Sequence, residues 1–120
     1  METIKNVHLL QILEGIKKIE NLKLGGVKTK VVLKNKKALI AAYEELIEVQ
    51  KKLVDQYSYK EEGSEENKFT KENEDIVNKE WMEINLQDSG IVLVKMNSAE
   101  LDQFSDLTLE QMEILDLMSE

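Results

Sequence analysis

The side chains that could carry out chemistry are few in this sequence, and they form no recognised catalytic arrangement. His8 is the single histidine of the 120 residues, so a histidine-rich metal site is excluded and a Ser-His-Asp triad would depend on this residue alone. The carboxylate pairs Glu44/Glu48 and Glu110/Glu113 have the spacing of neighbours on one helix face. Such pairs bind Mg²⁺ or transfer protons only inside a shaped pocket with other ligands. We therefore expect no catalytic residue, no metal site and no cofactor, and we interpret the protein as not an enzyme.

Residue types that are missing exclude further kinds of site. The chain has no cysteine, which excludes disulfides and thiolate metal sites and favours a reducing compartment. The glycine pair Gly25-Gly26 is not followed by the Lys-Ser/Thr of a phosphate-binding loop. All 16 basic residues are lysines, and lysine lacks the rigid fork with which arginine reads guanine. We expect no direct nucleic-acid binding.

The uneven distribution of charge is the most informative feature of the sequence. Residues 1–60 hold 12 lysines and 7 acids, whereas residues 61–120 hold 4 lysines and 17 acids, and the whole chain has a net charge of −8. This asymmetry predicts that the two halves pair with each other, that a charged partner binds, or both. An acidic half can also mimic nucleic acid in a basic cleft. The residues that we predict to contact a protein partner are Lys28, Lys30, Lys36, Lys37, Glu100, Asp102 and Asp106.

Apolar spacing predicts about four helices. Residues 4–19 have an amphipathic pattern, and a long central helix capped by Asn35 carries Leu39, Leu46 and Leu53 at seven-residue spacing. Thr70 is predicted to cap a third helix that runs to about residue 86. Thr108 with Gln111 forms the capping-box pattern of a last helix. The acidic residues 60–68 between the second and third helices predict a mobile loop.

Two further segments predict a small sheet. Residues 27–33 alternate between apolar and basic side chains, which is typical of a half-buried strand. Residues 91–96 include the unbroken apolar run Ile91–Val94, which is typical of a strand that is buried on both faces. Pairing of the two strands would join the halves of the chain. We therefore predict an α+β fold in which about four helices and a two-stranded sheet make one domain over residues 1–120.

Three stretches of the sequence resemble an uncharacterised family of small phage and prophage proteins from low-GC Gram-positive bacteria. They are VKTKVVLKNKKALIAAYEELIEVQKKLVDQY, NKEWMEINLQDSGIVLVKMNSAEL and LTLEQMEILDLMSE. The first matches the family's pattern of a strand, an asparagine turn and a long helix, with Lys34-Asn35 and Tyr57 in the corresponding places. The resemblance implies a phage context and a small α+β domain, and it brings no catalytic residues.

These observations together predict a bacteriophage protein of the host cytoplasm that acts by binding. The main hypothesis is a viral interaction protein, an inhibitor or modulator of a host or phage protein in counter-defence or host takeover. The alternative is an accessory factor or chaperone of head or tail assembly, for which self-association as a homo-oligomer would be expected. No run of apolar residues approaches the length of about 20 that a membrane span needs, so we expect no membrane association.

Overall fold

The computed structural model describes residues 4–97 and 107–119, and their regular structure is helical. A short 3₁₀ turn, Asn6–His8, precedes four α-helices. These helices are α1 (Leu9–Ile19), α2 (Gly26–Tyr57), α3 (Lys71–Leu86) and α4 (Leu109–Leu117). The α+β prediction is wrong, because the described residues contain no strand and no sheet and their only β-type pairs are isolated bridges.

The first predicted strand, residues 27–33, is the start of α2. The alternation predicts that Val27 and Leu33 are buried, yet they are 82% and 48% exposed. Val32 and Asn35 are buried instead, at helical spacing. No glycine or proline interrupts α2 after its first residue. The second half of α2 has a strong helical pattern and can nucleate the helix. Extension of the helix towards residue 26 then adds one hydrogen bond per residue, which costs much less free energy than nucleation. Burial at a period of 3.6 residues overrides the β preference of the valines.

The second predicted strand, residues 91–96, does not form, and its one β-type pair among the described residues is the isolated bridge of Met96 with Ser119. The partner of this segment is the side chain of Asn35, whose Oδ1 accepts from the Val94 N–H (2.7 Å) and whose Nδ2 donates to the Val94 C=O (2.9 Å). The Met96 N–H donates to the Met118 C=O at 2.8 Å. The prediction that Asn35 caps a helix is wrong, because Asn35 lies buried in the first third of α2. Its side chain pairs with Val94 in place of a neighbouring strand.

Two predicted helix starts are confirmed. The Thr70 side chain accepts a hydrogen bond from the Asn73 N–H, and α3 ends at Leu86 as predicted. Thr108 and Gln111 form both hydrogen bonds of a capping box at α4. Caps are local interactions, and for this reason the sequence alone predicts them well.

The hydrophobic core is centred on α1. Four α1 residues are buried along one face of the helix, and α1 contacts both α2 and α4. The helix α3 packs on α2 and near the 3₁₀ turn, and it has no fully buried residue. The other buried apolar side chains are Ile4, Val32, Leu39, Leu46, Leu93, Met96, Ile114, Leu115 and Met118.

The molecule is elongated. Its dimensions are 60 × 31 × 22 Å and its radius of gyration is 18.8 Å, compared with about 14 Å for a compact domain of this length. The 32 residues of α2 make a helix of about 48 Å, which exceeds both short dimensions and so must follow the long axis. The last buried residue of α2 is Leu46, and beyond it α2 and α3 form a hairpin whose side chains are at most partly buried.

The acidic connection between α2 and α3 is closed by backbone pairing. Tyr59 and Lys68 exchange two hydrogen bonds of 2.8 Å, and the Lys68 ammonium lies 2.9 Å from a Glu61 carboxylate oxygen. Gly63 has a positive φ of 82°, which permits the reversal of the chain. The mobility predicted for residues 60–68 stays a prediction.

Candidate partner-binding surface

The turn between α1 and α2 sets the position of the basic residues. Gly25 has a positive φ of 87°, which glycine adopts without strain, and it directly precedes α2. The first turn of α2 has no side-chain cap and no acidic residue. Because α2 begins here and follows the long axis, the lysines of its first turns lie at one end of the molecule.

Three of these lysines form a row on the outward face of α2. Lys30, Lys34 and Lys37 are spaced four and three residues apart, so adjacent Cβ atoms lie about 5–6 Å from each other along one face. All three are exposed, and their face is opposite the one that buries Val32 and Asn35. We call Lys30, Lys34 and Lys37 the lysine row.

The predicted contact residues differ in their exposure and in their ion pairs. Lys30 and Lys37 belong to the lysine row, whereas Lys28 is partly buried and Lys36 forms an ion pair with Glu20 at the end of α1. The prediction did not include Lys34, which directly follows the predicted strand of residues 27–33. Its spacing of four residues from Lys30 would have indicated it once the segment was read as a helix. The predicted acidic residues Glu100, Asp102 and Asp106 lie outside the described residues.

Intramolecular pairing neutralises little of the basic charge. Residues 17–37 hold eight lysines and one acid, Glu20. Two of the eight form ion pairs with residues that the structure describes, Lys36 with Glu20 and Lys18 with Glu110. The other six, including the whole lysine row, form none within residues 4–97 and 107–119. The acidic residues beyond position 60 therefore neutralise only one of these eight lysines through a described ion pair.

Apolar surface adjoins the lysine row. Leu33 lies three residues after Lys30 and four before Lys37, and it is 48% exposed. It also lines a hollow of about 230 Å³ between the end of α1 and the start of α2. The other apolar residues around this hollow are Ile19, Leu22, Leu24 and Val32. A partner that binds the lysines can therefore place an apolar group beside them.

The charge distribution makes the molecule electrically polar along its length. The basic end contains residues 17–37, and the α2–α3 hairpin, residues 47–86, contains eleven acids and six lysines, a net charge of −5. The helix dipole places partial positive charge at the start of α2, where the lysines already concentrate positive charge. Both sources favour an anionic partner at this end.

Other kinds of site find no support in the part of the chain that the structure describes. No group of three or more histidine, aspartate or glutamate side chains there has an arrangement that could hold a metal ion. None of the helices in residues 4–97 and 107–119 has both the length and the apolar character needed to cross a membrane.

Comparisons with known proteins give no relative. No protein-family model, no curated protein and no solved structure matches the chain. The similarity to small phage proteins therefore stays an expectation from the three sequence stretches described above.

Proposed function

We propose that the protein is a non-enzymatic, phage-encoded interaction protein that binds a host or phage protein and alters its activity. The lysine row, with Leu33 beside it, is the proposed contact surface. The partner surface would carry carboxylates at helical or strand spacing and at least one apolar side chain. The phage origin in this proposal rests on the resemblance of the sequence alone.

The observation that carries the proposal is the concentration, at the start of α2, of lysines that form no ion pair with a described residue. Positive charge near a helix N-terminus opposes the helix dipole and typically costs 0.3–1 kcal/mol per charge. Lys28, in the first turn of α2, therefore disfavours the folded state. Lys30, Lys34 and Lys37 repel one another along one helix face. An anionic partner would offset both effects. Charged groups that do not stabilise the fold commonly set the rate and specificity of association.

A capture experiment with matched charge variants tests the proposal. The tagged protein is used as bait in host extract at low and at physiological salt, alongside the variant Lys30→Glu/Lys34→Glu/Lys37→Glu. The control variant reverses three lysines outside the basic end, Lys51, Lys60 and Lys79, and has the same net charge. We expect one specific partner to be retained by the original protein and the control variant but lost from the lysine-row variant. If all three baits retain the same proteins, or none retains a specific one, the proposal is wrong.

The assembly alternative makes different predictions. A head or tail accessory factor would lie among genes for structural proteins and would self-associate in light scattering. A modulator of the host would lie among early or lysogeny-linked genes. Gene position together with the mass in solution, which is 13.9 kDa for a monomer, therefore separates the two hypotheses.

A further inference from the structure

A groove of about 570 Å³ lies between α1 and α4, apart from the lysine row. Ile12 on α1 and Ile114 and Leu117 on α4 line its apolar part. This volume is in the range of pockets that hold ligands or anchoring side chains.

The groove follows from how closely α1 and α4 approach. A Cβ built on Gly15 would lie 3.1 Å from Cδ1 of Ile114, so α4 packs directly on the backbone of α1 at this point. At the end of α1, Gln111 donates to the Lys18 carbonyl at 2.8 Å and Glu110 pairs with Lys18. The start of α4 thus lies at the end of α1, and the two helices are antiparallel. Because their nine and eleven residues make helices of about 14–17 Å, the groove has the length of a short helix.

The rim of the groove is acidic. Glu14, Glu110 and Glu113 line it together with the single histidine, His8. Lys18 neutralises Glu110, whereas Glu14 and Glu113 form no ion pair with a described residue. An apolar floor between two carboxylates disfavours nucleic acid and anionic lipid, and it complements an apolar side chain that is flanked by cations.

We infer that this groove binds a cationic amphipathic helix of a second protein. The helix would insert apolar side chains, spaced three or four residues apart, against Ile12, Ile114 and Leu117, and would place Lys or Arg near Glu14 and Glu113. This site is distinct from the lysine row, which takes an anionic surface. The protein would then hold two partners of opposite charge and act as an adaptor between them.

Peptide titration tests the groove. The probe is a fluorescein-labelled synthetic 15-residue helix with leucine at amphipathic spacing and lysine elsewhere, and its control has glutamate in place of every lysine. Fluorescence anisotropy measures the dissociation constant, and amide chemical shifts locate the peptide. We expect binding of the lysine peptide alone, with the largest shifts at Ile12, Gly15, Ile114 and Leu117.

Because the whole protein is acidic, a matched variant must separate the groove from general attraction. Glu113→Lys on the groove rim should weaken binding of the lysine peptide about ten-fold. Glu83→Lys, at an exposed position of α3 with the same charge change, should change it by less than about two-fold.

Equal effects of the two variants, shifts confined to the α2–α3 hairpin, or no binding at all would each overturn the inference. Self-association of the protein that Glu113→Lys abolishes would overturn it as well, since the occupant would then be a second copy. The lysine-row variant should bind the peptide at least as tightly as the original protein, so this test does not depend on the proposed function.

Discussion

The packing of the chain around Val94 on α2 depends on Asn35. Asn35 is 2% exposed, and its amide satisfies both backbone groups of Val94 from the interior of α2. Buried asparagine is costly unless its polar atoms are paired, and here the same two hydrogen bonds also pair a backbone segment that has no neighbouring strand among the described residues. The Asn35 side chain thus attaches the chain around Val94 to α2.

Replacement of this amide should be strongly destabilising. Asn35→Ala leaves the N–H and C=O of Val94 without partners, and we expect it to lower the free energy of unfolding by about 2–4 kcal/mol. Urea unfolding followed by circular dichroism measures the change. Asn78→Ala, at an exposed position of α3, is the control and should change stability by no more than about 0.5 kcal/mol. An equally small effect at Asn35 would show that the pairing with Val94 contributes little.

The packing of α1 on α4 depends on the contact of Gly15 with Ile114. Gly15→Leu should overpack this contact and lower the free energy of unfolding by about 1–3 kcal/mol. Ile114→Ala removes a buried side chain and should cost about 2–5 kcal/mol. In the double variant, the leucine side chain of Gly15→Leu would fill the space that Ile114→Ala leaves empty. The decrease in the free energy of unfolding should then be smaller than the sum of the two single decreases by at least about 0.5 kcal/mol. Additive losses in urea unfolding would contradict direct packing of the two residues.

The start of α2 combines a helix dipole with lysines of the same sign. Lys28 lies in its first turn, so Lys28→Glu should raise the free energy of unfolding by about 0.3–1 kcal/mol. The same charge change far from a helix start, Lys51→Glu, should give no such gain. Thermal unfolding of both variants at low salt makes the comparison. A loss of stability in Lys28→Glu would contradict an unfavourable interaction between this lysine and the helix dipole.

The elements that the sequence predicts correctly are those with local causes. Thr70 and Thr108 make their caps within three residues, and the apolar stripe of α3 lies within one helix. The strand prediction for residues 27–33 failed because its short alternation also fits a helix, and only the length of α2 decides between them. The partner of Val94 is 59 residues away in the chain and is a side chain, which no strand pattern indicates. For the proposed binding surface, the sequence prediction names Lys30 and Lys37 but not Lys34, because the arrangement of the three lysines as one row requires the helix.

At the scale of the whole molecule, shape and charge follow the same axis. The basic start of α2 lies at one end and the acidic α2–α3 hairpin lies along the other part of the long dimension of 60 Å. A partner that recognises one end need not cover the other. The groove between α1 and α4 adds an acidic-rimmed site to this arrangement.

Small-angle X-ray scattering tests the elongated form. We expect a radius of gyration close to 18.8 Å for the monomer in dilute solution, because α2 extends beyond the core. The scattering mass provides the control, since a dimer would raise both quantities. A monomer mass with a radius near the value of about 14 Å for a compact domain would contradict the protruding hairpin.

The central claim is that the protein acts through charged contact at the lysine row, and the salt dependence of its affinity tests this most directly. The dissociation constant of the captured partner is measured between about 50 and 500 mM salt for the original protein, the lysine-row variant and the control variant. We predict that salt weakens binding by about ten-fold or more, and that reversal of Lys30, Lys34 and Lys37 causes a similar loss already at low salt, while the control variant binds as the original protein does. An affinity that neither salt nor this reversal changes would contradict the claim.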